Sequence, residues 1–125
     1  MKKISYLLLI AVLFLSFCYN VKAEVNYRKE VKMVQQVNAS HILVATEAEA
    51  KTLKAEIENG ASFEELAKEH SKCPSGYDGG KLGYFTRGQM VKPFEDAAFE
   101  TEIGKISDPV QTQFGWHLIK VIDKK

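Results

Sequence analysis

Two histidines and one cysteine are the side chains of this sequence best suited to chemistry. His41 lies in the apolar run ASHILV, His117 opens a second such run from Trp116 to Ile122, and Cys73 sits in the loop-like stretch SKCPSGYDGG. As zinc ligands the three show no short paired spacing and no evident fourth partner, which argues against a metal. A cysteine hydrolase would need a neighbouring histidine and an oxyanion hole, and no local signature of one is present. A thiol redox sensor would lack a resolving cysteine. Two histidines that each lead an inward strand face could instead stand side by side in a sheet and bond through their rings, which would fix their tautomers. Beside them comes an apolar trio within GGKLGYFTRGQMVKPFEDAAF: Leu82, Met90 and Phe94. Each falls next to a residue that bends or stops the backbone, so the three can be displayed at the edge of a core. Taken alone, the stretch reads first as a turn leading into an ordinary core helix; the flanking sequence reverses that reading.

The elements that must position these residues can be read in order. Residues 39–44 alternate His41 and Leu43 with Ile42 and Val44, a strand covered on both faces. Thr46 and Glu49 form a capping pattern, so a helix starts near Glu47, turns Ala50, Leu53 and Ile57 inward and stops at Asn59-Gly60. Ser62 and Glu65 repeat the pattern for a second helix with Phe63, Leu66 and Ala67 inward, ending around His70. Residues 71–80 read as loop. LGYF is strand-like, Arg87-Gly88 a turn, and Pro93-Phe94 opens a short helix. A strand over 106–111 with Pro109 at an edge or bulge, a turn over 112–115 and a last strand over 116–122 complete the chain. Helices after one strand and before several others indicate an α+β fold with an antiparallel sheet.

With 125 residues, 46% of them hydrophobic, the chain has room for one domain with a core, and a net charge of +1 makes no electrostatic case for nucleic acid or an acidic membrane surface. Lys2 and Lys3 precede an apolar run from Ile4 to Phe17, short against the ~20 residues of a spanning helix. Val21-Lys22-Ala23 follows as a cleavage site, so residues 1–23 read as a removed export signal and the remaining chain has no stable membrane span. A lipoprotein acylated at Cys18 is the second reading, disfavoured by the bulky Phe17 before it; a retained anchor is the third. If Cys18 leaves with the signal, Cys73 is the only thiol and no internal disulfide is available. Residues 24–37, with Val31, Val34 and Val37 three apart, read as a lead-in or linker that could also face a partner; the oligomeric state is open.

Taken together, ASHILV with His41, FEELAK from Phe63, Cys73-Pro-Ser, GGKLGYF with Leu82 and Phe85, Arg87-Gly-Gln-Met90, FEDAAF from Phe94, Pro109-Val110 and Phe114-Gly-Trp-His117 resemble a parvulin-type peptidyl-prolyl cis-trans isomerase. The match runs in unbroken order over residues 38–121, and its order carries more weight than any one piece. The resemblance implies a four-stranded antiparallel sheet flanked by helices (an FKBP-like superfold) over 38–125, and no cofactor. It implies a proline pocket at Leu82, Met90 and Phe94, with Phe85 and Gln89 at flanking positions. It also implies a polar set of His41, His117, Cys73, Ser71 and Thr112. Phosphate-directed members carry a basic loop where this chain has the short, acidic Ala45-Thr46-Glu47-Ala48-Glu49, so selection for phosphoserine or phosphothreonine is not expected. The partners implied are unfolded or partly folded exported polypeptides with X-Pro bonds, met in a periplasm or outside the cell. A non-catalytic chaperone or binding module using the same groove is the rival expectation.

Overall fold

The computed structural model describes residues 34–125. The expected export signal, Cys18 and the first part of the lead-in, Val31 included, lie outside the described residues. Four strands, β1 (Gln36–Val44), β2 (Lys81–Thr86), β3 (Val110–Thr112) and β4 (Gly115–Lys124), form one antiparallel sheet in the order β2-β1-β4-β3. Three helices, α1 (Glu47–Glu58), α2 (Phe63–His70) and α3 (Lys92–Glu100), flank it. This is the α+β architecture expected from the sequence.

Both expected caps are built: the hydroxyls of Thr46 and Ser62 accept the backbone N–H groups of Glu49 and Glu65. The inward residues of α1 and α2 meet one sheet face, where Ile42, Val44 and Leu118 pack with Ala50, Leu53, Phe63, Leu66 and Ala67. Helix α3 covers the other face, its Phe94 ring meeting the rings of His41 and His117.

The structure departs from the sequence expectations at three places. Strand β1 begins at Gln36, so Gln36 and Val37 belong to the sheet rather than to a lead-in; Val37 is fully buried, and β4 runs on to Lys124 to pair with it. The strand expected over 106–111 is broken: Ile106 makes an isolated bridge to Lys120, and regular pairing resumes only at Val110. Pro109, which has no N–H to give a ladder, sits in the gap. Within the loop over 71–80, Pro74–Asp78 forms a 3-10 turn with Pro74 at its start and Gly79 in the left-handed conformation at its end.

That turn and its flanks finish the ladder of β1 where β2 stops short. Pairing of β2 with β1 ends at Ser40↔Lys81. Beyond it, the His41 N–H donates to the Gly80 carbonyl at 2.9 Å, the Leu43 N–H to Ser71 Oγ at 3.1 Å, and the Lys72 N–H to the Leu43 carbonyl at 2.8 Å. The loop carrying Cys73 is thereby laid along the strand carrying His41. Only glycine fits at position 80, where a Cβ would stand 2.3 Å from the His41 carbonyl oxygen and φ is +84°.

Candidate active site

The two histidines sit on the neighbouring central strands β1 and β4. Their register partners are Ile119 for His41 and Leu43 for His117, so the pair is diagonal across the ladder. On the face shared by His41 and His117 the rings stack at 5.3 Å between centroids and 16° between planes, and the two Nδ1 atoms lie 3.1 Å apart. His41 Nε2 lies 3.0 Å from Ser75 Oγ, and His117 Nε2 lies 2.8 Å from Thr112 Oγ1, which also accepts the Phe114 N–H.

Hydrogen-bond accounting orders this chain. Burial lowers the pKa of His41 to about 4, assisted by the charge His117 would carry, and burial alone lowers that of His117. Both rings are therefore neutral at pH 7, with one N–H each. A single hydrogen bond between the Nδ1 atoms requires one ring to donate there and the other to accept. The chain Ser75–His41–His117–Thr112 consequently points one way along its whole length. All four ring nitrogens are committed to it, so none is presented to the cavity as a free metal ligand.

In front of the pair opens a cavity of about 540 Å³ lined mainly by apolar side chains. Leu82, Met90 and Phe94 converge on it, together with Cys73 and both histidines. Phe94 is 3% exposed and meets both imidazoles edge-on, at 5.6 Å from His41 and 5.2 Å from His117. Leu82 reaches the cavity through a bulge: Ala39 pairs with Gly83 and Ser40 with Lys81, which leaves Leu82 as the extra residue. Without it Leu82 and Phe85, three apart, would face opposite sides; with it both face α3. Gly83 takes a φ of +74°, the conformation such a bulge needs. Met90 stands on the turn after β2, which is held by the Gln89 side chain accepting the Thr86 N–H at 2.7 Å and by Glu95 of α3 accepting the Gly88 N–H.

Of the residues expected from the sequence, His41, Cys73, His117, Leu82, Met90, Phe94 and Gln89 line the cavity, and Thr112 touches His117. Two are placed otherwise. Ser71 does not reach the imidazoles; its hydroxyl accepts the N–H groups of Leu43 and Cys73 and so holds the loop in place. Phe85 does not line the cavity but stands behind its wall, 6.0 Å from the Phe94 ring and 6.3 Å from that of Phe99. The hydroxyl that does meet His41 is that of Ser75, which sequence reading missed. The 3-10 turn starting at Pro74 presents it, and the Cys73-Pro-Ser triplet was the available signal. Phe114 was missed as well: it lines the cavity while 63% exposed, on the turn between β3 and β4.

Comparison with known proteins decides the family. The model of the PPIC-type PPIase domain matches residues 24–125. The chain belongs to this family. The PPIC-type match takes in residues 24–33 together with all of the described residues 34–125. Foldase protein PrsA 1 of Bacillus cereus is 52% identical over 101 residues, which cover 80% of this chain and 33% of that protein. The chain thus spans about a third of the length of this curated relative. The crystal structure of the peptidylprolyl isomerase PrsA from Bacillus anthracis superposes with a TM-score of 0.72 at 51% identity, over 78% of this chain and 46% of that one. The solution structure of NmPin, the parvulin of Nitrosopumilus maritimus, does so with a TM-score of 0.66 at 44% identity, over 71% of this chain and 97% of that one. The superposition thus takes in nearly the whole of NmPin but less than half of the PrsA chain.

Proposed function

We propose that the protein accelerates rotation of X-Pro peptide bonds in unfolded or partly folded polypeptides outside the cytoplasm. The observation that carries this reading is the apolar cavity of Leu82, Met90 and Phe94 backed by a closed, neutral histidine pair. Export is supported by Lys2, Lys3 and the apolar run after them.

Rotation of an X-Pro bond faces a barrier of about 18–20 kcal/mol because it breaks amide resonance. A folding chain can wait tens to hundreds of seconds for it. No bond need be cleaved. A catalyst needs a grip on the pyrrolidine ring and surroundings that suit the twisted amide better than either planar form. Leu82, Met90 and Phe94 would hold the ring, and the pliable thioether of Met90 would accept it in both orientations. Phe94, wedged edge-on against both imidazoles, would keep the ring against the polar floor. His41 and His117, with Thr112, keep that floor uncharged and stiff, since a change at either ring would have to reverse or break the one-way chain. Cys73 would stand beside the carbonyl being turned as a hydrogen-bonding or electrostatic group, its position set by Ser71. Phosphate selection is absent from this reading, because only Ala45 and Thr46 join β1 to α1, and Glu47 of α1 is paired with Lys51.

A protease-coupled assay on unphosphorylated X-Pro peptides tests the reading: acceleration above the uncatalysed rate is expected, and a background rate would end it. In the same assay Cys73→Asp keeps part of the activity if the group at 73 acts by polarity. Activity lost in both Cys73→Asp and Cys73→Ser would instead favour covalent attack by the thiol. A second reading, a binding module for extended Pro-containing segments, is favoured by the exposure of Phe114 at the cavity mouth. It predicts that a His41 variant without isomerase activity still keeps unfolded clients from aggregating.

A further inference from the structure

Beside the apolar cavity lies a second one of about 370 Å³, lined largely by polar side chains, and the two share Lys72, Cys73 and Pro74. They are neighbours across a ridge three residues wide. Lys68, Glu69 and Tyr77 line the second cavity and not the first. Lys72 is the one charged residue lining the apolar cavity. Its backbone is pinned by the 2.8 Å bond to the Leu43 carbonyl, while its side chain is exposed and takes part in no ion pair among the described residues. A cation without a partner, carried on a pinned backbone at the edge of an apolar wall, attracts an anion brought to the cavity mouth.

We infer that Lys72 is a specificity-determining residue that favours clients with a carboxylate side chain on the residue before the proline. The inference rests on the isomerase reading, in which the carbonyl beside Cys73 belongs to that preceding residue. On that reading its side chain leaves the apolar cavity over the wall of Cys73, where Lys72 is the adjoining residue. A single carboxylate suits the site better than a phosphate. Of the three charged residues around the second cavity Glu69 opposes Lys68 and Lys72, leaving one net positive charge, which balances a carboxylate but not the nearly doubly charged phosphate.

The test is the protease-coupled assay on three peptides that differ only in carrying Glu, Ala or Lys before proline. At low salt the Glu peptide is expected to exceed the Lys peptide in kcat/KM by roughly three- to fivefold, the size of effect an exposed ion pair gives. The ratio should shrink toward one at about 1 M NaCl, where the screening length is ~3 Å. Lys72→Glu should invert it. Equal rates for the Glu and Lys peptides in the unaltered protein at low salt overturn the inference, as does a ratio that Lys72→Glu leaves unchanged. Should that variant fail to fold, salt dependence in the unaltered protein decides: a preference that survives about 1 M NaCl is not Coulombic, and Lys72 is not its source. Failure to accelerate any peptide, Ala included, overturns the isomerase reading and this inference with it.

Discussion

On the sheet face covered by α1 and α2, Ile42, Val44 and Leu118 meet Ala50, Leu53, Phe63, Leu66 and Ala67, and every one of these is 8% exposed or less. On the face covered by α3, the same central strands turn His41 and His117 toward Phe94 and leave a cavity of about 540 Å³. One face is closed with hydrocarbon; the other gives up packing to keep room for a ring. The difference teaches what a site must satisfy to be carried by a fold this small. Buried imidazoles cost stability unless every polar atom finds a partner. Here no buried side-chain nitrogen or oxygen among the described residues lacks one. Hydrocarbon burial is not confined to the closed face: Val37, Ala39, Phe85, Phe94, Ala98, Ile119 and Val121, none of them in that cluster, are each 3% exposed or less, so the cavity is cut into a face that is otherwise packed.

The sharpest way to break this division is to cut into each face separately. Leu118→Ala removes a fully buried side chain from the closed face and is expected to cost about 2–5 kcal/mol in denaturant unfolding, with kcat and KM of the folded protein near their original values. Met90→Ala should do the reverse. Its side chain is only half-buried, so stability should fall by less than about 1 kcal/mol, while kcat/KM falls roughly tenfold, equivalent to about 1.4 kcal/mol of transition-state binding. Leu118→Ala lowering kcat as far as Met90→Ala does would mean the faces are not separable.

Acid probes the α3 face through its two histidines. Both histidines have folded-state pKa values below the ordinary 6.5, His41 at about 4. The unfolded chain therefore binds more protons than the folded one between roughly pH 6.5 and 4. Their neutral burial is compatible with full stability above pH 6.5, and stability should fall as pH drops through that window. His41 accounts for about 3 kcal/mol of the loss by pH 4, from the gap between 6.5 and about 4. Unfolding curves collected from pH 7 to 4 check this, and His41→Asn should flatten the slope. A slope of the same size in that variant would assign the effect to other groups.

The smallest expected effect sharpens the account of the chain's outer end. Ser75→Ala leaves His41 Nε2 without its hydroxyl partner, which should cost about 1 kcal/mol and lower kcat more than it raises KM. Unfolding and steady-state assays run side by side would detect both. Unchanged values in both would make Ser75 a bystander.

Much of this was legible before any coordinates. The caps at Thr46 and Ser62, the inward faces of α1 and α2 and the stop at Asn59-Gly60 rest on contacts within a few residues, so residue type and spacing suffice to place them. The stacking of His41 on His117 was foreseeable as a possibility, because both lead inward faces of apolar strands. Ser71 and Ser75 were not distinguishable. Both flank Cys73, and only the 3-10 turn together with the bonds from Leu43 and Cys73 to Ser71 sends one hydroxyl to the backbone and the other to His41. Leu82 and Phe85 could not be sorted for a similar reason. Strict alternation puts them on opposite faces, and the bulge at Leu82 and Gly83 is a property of pairing with Ala39 and Ser40.

By itself, then, the sequence determined the periodic elements, their ends, and the kinds of side chain available for a site, since these follow from chemistry local to the chain. Tertiary structure alone decided which loop residue meets which imidazole, and which strand residue lines the cavity rather than backs it. Those outcomes depend on hydrogen bonds between segments far apart in the chain, from His41 to Gly80 and from Leu43 to Ser71 and Lys72. No local propensity encodes where such partners come to rest.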